Sequence, residues 1–269
     1  MIDRLVAGAV QGFPIASGAW TFPVYAAPPT SPRYDVRLTV SWAPARVMSG
    51  VPIPSTAAPD PAGDHHLTIM DPATNCEYDF WGASKASDGT WSAWWANATM
   101  LSGNGIYDGG WSARAAGFAN GLGLIRPEEL AAGHIDHALV FGFPDAKAGG
   151  PVWPATHSDG NSTAPGAIPE GARVQLDPSL NLDSLGLNPW QKIVARALQT
   201  HGMFLADSGG TTSLYAVNTQ SEPVPYPWGS ETYPMLPTSL LSHMRVLNLP
   251  PQNPSPPAFL VPTPCATLR

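Results

Sequence analysis

The chain has 269 residues and a formal net charge of −7, with 43% hydrophobic and only 12% charged residues. Its acidic, weakly charged composition excludes a nucleic-acid backbone or an anionic lipid surface as the main partner. The 10 Trp, 8 Phe and 7 Tyr exclude a disordered chain despite 31 Pro and 26 Gly.

The length allows a full hydrophobic core, so one domain is expected over residues 1–249, followed by a proline-rich tail over 250–269 that wraps the surface. The chain contains no run of eighteen apolar residues and no apolar segment of signal-peptide type, so no membrane insertion is expected. In chain order, Ile2 to Val10 reads as a short helix limited by Gly8 and Gly12. Tyr34 to Trp42 alternates Tyr34, Val36, Leu38, Val40 and Trp42 against Asp35, Arg37, Thr39 and Ser41, which predicts a strand with one wet face. A proline-rich link leads to Asp64–Trp81, read as a hairpin turning at Pro72 to Asn75. Its first strand sets Asp64, His66, Thr68 and Met70 on one face. The return strand sets Glu77, Asp79 and Trp81 on one face and Cys76, Tyr78 and Phe80 on the other.

Trp91 to Thr99 predicts a further strand, RPEELAA from Arg126 a short helix stopped by Gly133, and His134 to Phe143 a strand with His137 pointing inward. Gly171 to Leu176 is another strand, and Pro189 to Thr200, capped by Asn188, is the one long helix. Met203–Ala206 and Ser213–Val217 read as a second hairpin around Asp207, Ser208, Gly209 and Gly210. Alternating strands with so little helix predict an all-β, mainly antiparallel fold, a single-domain β-sandwich or jelly roll with one or two short helices. Cys76 and Cys265 either form a bridge that fixes the tail or remain separate thiols.

The succession GDHHLTIMDPATNCEYDFW, GIYDGGWSARAAGF, ELAAGHIDHALVF, PATHSDG, GARVQL and ALQTHGMFLADSGG resembles a family of secreted bacterial proteins common in actinobacterial genomes, over nearly the whole chain. The resemblance implies a single extracellular domain and marks His66, His137, His157, Arg173 and Asp207 as shared motif positions. It implies no particular reaction.

Two constellations carry candidate chemistry. Glu77 and Asp79 sit two apart on one strand face, so their Cα atoms are about 6.5–7 Å apart. From there the carboxylates can reach the roughly 5–5.5 Å spacing of a retaining glycosidase pair; the competing reading is a solvated strand face. His66, His137 and His157, with Asp64 or Asp207, can supply a general base and its orienter. Adding Arg173 to neutralise a uronate carboxylate, and Tyr78 or a His as base and acid, would make the set a lyase. Against this, each histidine can instead be a buried ring bonded to a backbone carbonyl. Trp81, Trp94, Trp111 and Trp153, with Tyr78, offer stacking surfaces for sugar rings, a use that core packing competes with. The chain has no G-x-S-x-G elbow, no phosphate or dinucleotide loop and no zinc spacing, so neither a cofactor nor a bound metal is expected.

The expected function is an extracellular carbohydrate-active enzyme, a glycoside hydrolase or a uronate lyase, acting on a polysaccharide or oligosaccharide. A non-catalytic glycan-binding or surface-structural module is the alternative. An enzyme should gather several of the polar candidates in one concave pocket.

Overall fold

The computed structural model describes residues 1–107, 112–254 and 263–269. Among these residues, three open sheets and four α-helices, of which Pro189–Thr200 is the longest, make up a mixed α/β fold. The largest sheet has seven strands in the order Met235–Leu236, Phe13–Ala16, Ser213–Tyr215, Leu139–Phe143, Met203–Ser208, Arg173–Leu176 and Met244–Val246. Phe13–Ala16 runs parallel to Ser213–Tyr215, and Leu139–Phe143 runs parallel to Met203–Ser208. Parallel pairs also join Val24–Ala26 to Leu67–Asp71 and Arg33–Leu38 to Trp91–Ala93.

This pairing corrects the expected all-β, mainly antiparallel sandwich or jelly roll. Periodicity reports which residues face a core but not which strands become neighbours. The expected second hairpin shows why: Met203–Ser208 and Ser213–Tyr215 do not pair with each other, because Leu139–Phe143 lies between them. The turn residues Asp207–Gly210 thus carry the chain across an interposed strand.

The local signals do form. The helix Pro189–Thr200 starts with a reciprocal cap: the Asn188 side chain accepts from Gln191 N at 3.0 Å, and the Gln191 side chain accepts from Asn188 N at 3.0 Å. Its stripe of Val194, Ala197 and Leu198 joins Leu139, Phe141, Met203 and Leu205 in the main core on one face of the large sheet. Pro127–Ala132 is a helix closed by Gly133 in the left-handed conformation, as the sequence suggests. The strand expected over His134–Phe143 begins at Leu139, so His137 lies ahead of it.

Val36, Leu38, Leu67, Tyr78 and Trp95 belong to a second core shared by the two smaller sheets. Cys76 and Cys265 are joined there as a disulfide, and the tail strand Thr267–Leu268 pairs with Ser49 and Met48. The hairpin forms as Leu67–Asp71 paired with Cys76–Trp81, and Asn75 takes a positive φ of 59° at its turn. Neither of its faces is wet. A third cluster, including Phe22, Phe118, Val140, Ala206 and Tyr215, covers the other face of the large sheet, and Phe22 packs against His66 of the hairpin.

Candidate active site

A bulge in the large sheet sets up the cleft between it and the hairpin. Along the Leu139–Phe143 ladder, Phe141 pairs with Leu205 but Gly142 pairs with Asp207, so Ala206 is an extra residue. Regular alternation would put Asp207 on the face of Met203 and Leu205, inside the main core. The bulge turns it to the face of Val140 and Tyr215 instead. Gly142 is required beside it, since a Cβ there would lie 2.3 Å from the Tyr215 hydroxyl.

Opposite Asp207 stand Asp64 and His66, at the entry to the hairpin. Asp64 accepts a hydrogen bond from the Trp81 indole N–H at 3.2 Å. His66 is 5% exposed, and its Nδ1 lies 3.3 Å from the Phe80 carbonyl. That carbonyl can only accept, so Nδ1 carries the proton and Nε2 is the basic nitrogen. Burial, opposed by the Asp64 carboxylate and assisted by Arg114, brings the His66 pKa down to about 4. Burial acts in the opposite sense on Asp207: reinforced by Asp159 and Asp64 and opposed by Arg114, it holds the carboxyl well above the usual range. Buried His157, whose Nδ1 faces the Ala115 carbonyl at 3.1 Å, is also shifted downward by burial. Asp159 accepts from the Ser208 hydroxyl at 2.7 Å.

These groups border two adjoining cavities, of about 390 and 210 Å³, that share Asp64, His66, Asp207 and Ser208. The larger runs past Phe22 and Tyr215 to Trp20 and Tyr233, and the smaller past His157 and Asp159 to Trp42 and Trp81. Trp20 projects 52% exposed from a backbone with φ of 56°, held by Asp60, whose carboxylate accepts from Trp20 N at 2.9 Å and from Asn218 Nδ2 at 2.9 Å.

Beneath the cleft Arg114 is fully buried. Its guanidinium donates to the carbonyls of Ala119, Asn120 and Leu122 and lies 4.1 Å over the Phe22 ring. Glu170 is also fully buried, and burial, reinforced by Asp159, raises its pKa well above the usual range.

Four of the residues singled out in the sequence, Asp64, His66, His157 and Asp207, therefore meet in one cleft, with Trp81 on its wall. The others lie elsewhere. Glu77 and Asp79 point into the protein, under the segment around residues 112–126. Asp79 accepts from Thr68 Oγ1 at 3.1 Å, Tyr107 Oη at 2.8 Å and Asn120 N at 2.9 Å, and Glu77 accepts from Gly121 N at 2.9 Å. Burial raises the pKa of both carboxyls, and the neighbouring Glu77 adds to the rise at Asp79. The solvated strand face expected for them is thus covered by loop backbone.

His137 sits at a separate cavity, where its Nε2 is 2.8 Å from Glu129 and its Nδ1 is 3.0 Å from the Ala138 carbonyl. Both partners accept, so both ring nitrogens donate, and the bond to Glu129 raises its pKa despite burial. Arg173 donates to the His201 carbonyl and stacks over Phe204, away from the cleft. Tyr78, on the opposite hairpin face, donates to the Cys265 carbonyl at 2.9 Å. Trp94 packs edge-on against Trp81 at 4.9 Å, Trp153 is 60% exposed outside the cleft, and Trp111 lies outside the described residues.

Sequence reading missed Trp20, Trp42, Asp159, Tyr215 and Tyr233. Only Asp159 carried a signal, two residues after His157. Among the described residues no group of three or more His, Cys, Asp or Glu side chains is arranged to hold a metal ion, and no helix is long and apolar enough to cross a membrane. Comparison with family models, curated proteins and solved structures found no match.

Proposed function

We propose that the protein is a carbohydrate-active enzyme that hydrolyses a glycosidic bond in this cleft. The observation that carries the reading is the meeting of Asp207, whose carboxyl pKa burial raises well above the usual range, with Asp64 and a His66 whose pKa burial lowers, across a cavity walled by indoles. Groups whose surroundings push their pKa values apart can act as acid and base at one pH. Asp207 donates its proton to the leaving sugar oxygen as the C–O bond breaks. Water adds to the anomeric carbon and gives up its proton to Asp64, with the basic Nε2 of His66 positioned to hold that water. Trp20, Trp42 and Trp81 offer faces for sugar rings.

Hydrolysis fits better than elimination beside a uronate. Arg173, the cation sought for the uronate carboxylate, is bound to His201, and Arg114 is sealed below the floor.

The test is release of reducing ends from a polysaccharide panel. Asp207→Asn and Asp64→Asn should each lower turnover by roughly 10²- to 10⁴-fold with the melting temperature little changed. Turnover within about threefold of wild type in both variants would move the chemistry elsewhere. Binding without turnover by the wild type would favour a glycan-binding module.

A further inference from the structure

We infer that the cleft takes an internal stretch of a glycan chain free of carboxylates, with sugar units in both chambers and the reactive groups between them. The inference rests on the hydrolase reading for the bond cleaved, but its binding arm stands without it. Asp64, His66, Asp207 and Ser208 border both cavities, so the proposed acid and base stand at their junction and not at a closed end. Neither chamber is sealed by the described residues, and each carries its own projecting indole, Trp20 at 52% and Trp42 at 38% exposed. An enzyme that trims chain ends needs one side blocked, whereas this cleft provides a stacking surface on each side of the scissile position.

Charge narrows the class of chain. Among the described residues, the ionisable groups around the two chambers are the acids Asp64, Asp159 and Asp207, the two histidines whose pKa burial lowers, and tyrosines, and no Lys or Arg borders either chamber. A uronate or sulfated sugar would bring its anion against these carboxyls with no cation to pair it, an arrangement that selects against such ligands. Uncharged sugars, and amino sugars carrying an ammonium group, face no such penalty.

The experiment titrates full-length Asp207→Asn protein with oligosaccharides of increasing length, read by tryptophan fluorescence. The ligands are uncharged gluco-, manno-, xylo- and N-acetylglucosamine oligomers, glucosamine oligomers and galacturonate oligomers. Affinity should rise with length for at least one uncharged or basic series and be absent for galacturonate. Trp20→Ala and Trp42→Ala, each made in that background, should each weaken the long oligomer roughly two- to tenfold, and a short oligomer filling one chamber should respond to only one of them. With wild-type enzyme on the polymer of the bound series, viscosity should collapse before most reducing ends appear. Galacturonate binding as tight as the uncharged series, no binding by any uncharged or basic series, or sensitivity of long oligomers to only one tryptophan would overturn the inference. Length-dependent binding through both tryptophans without wild-type turnover would sink hydrolysis and leave the two-chamber binding site standing.

Discussion

Asp79 shows how a residue that looks catalytic in sequence can be structural in place. It has no exposed surface and collects a hydroxyl from Thr68, a phenol from Tyr107 and the backbone N–H of Asn120. Removing it by Asp79→Ala leaves three buried donors unpaired, each costing about 1–3 kcal/mol, so a loss of several kcal/mol is expected in denaturant unfolding. Asp79→Asn keeps the shape: its oxygen can serve Tyr107 and Asn120 while its NH₂ meets the Thr68 hydroxyl, which can accept. That variant should stay within about 1 kcal/mol of wild type. Equal destabilisation by both would mean that the charge itself, and not the three hydrogen bonds, holds this part of the fold.

At the scale of elements, the disulfide between Cys76 and Cys265 ties the end of the hairpin turn to the tail strand, with 189 residues of sequence separation. In the chain-entropy model a loop of that size is worth about 5 kcal/mol. Reduction, or Cys265→Ser, should therefore lower the melting temperature, and fast hydrogen exchange should appear at Val47 and Ser49, whose N–H groups face the tail. A melting temperature that ignores reductant would show that packing alone fixes the tail. What the sequence disclosed at this scale was local. The hairpin at Asn75, the Asn188–Gln191 cap and the Gly133 stop each follow from residues a few positions apart. The parallel neighbours of Leu139–Phe143 were hidden because pairing is settled by distant strands, and the solvated reading of Glu77 and Asp79 failed because the loop donors Asn120 and Gly121 lie more than 40 residues on. Of the residues around the candidate cleft, Asp64, His66, His157 and Asp207 were legible, because acids and imidazoles are conspicuous in so lightly charged a chain. The cleft aromatics Trp20 and Trp42 were not, since exposed and buried indoles look alike in a sequence.

For the whole molecule, the buried ionisable groups point to an acid-stable protein. Burial lifts Asp60 to about 6 and raises Glu77, Asp79, Glu170 and Asp207. Stability from such raised acids is fully present below their unfolded values, near about 4, and is lost as the pH climbs through the folded ones. His66, depressed to about 4, contributes in the opposite sense: its stability is present above the unfolded value of about 6.5 and is lost as the pH falls through the folded value. The melting temperature should therefore peak between about pH 4 and 6, the span set by His66 and Asp60, and a maximum above pH 8 would contradict this. Turnover in the proposed reaction should fall below about pH 4 as His66 gains a proton, and again at high pH as Asp207 loses its own. Asp159→Asn removes a carboxyl that raises Asp207, so the alkaline limb should move to lower pH.

The bulge at Ala206 also makes strand register a determinant of the site. Were the ladder to run regularly with Ala206 opposite Gly142, Asp207 would turn toward Leu205 and leave the cleft, while every side chain of the proposed machinery is still encoded. Whether the bulge is kept, as much as which side chains are present, would then separate relatives that retain the chemistry from those that keep only the scaffold.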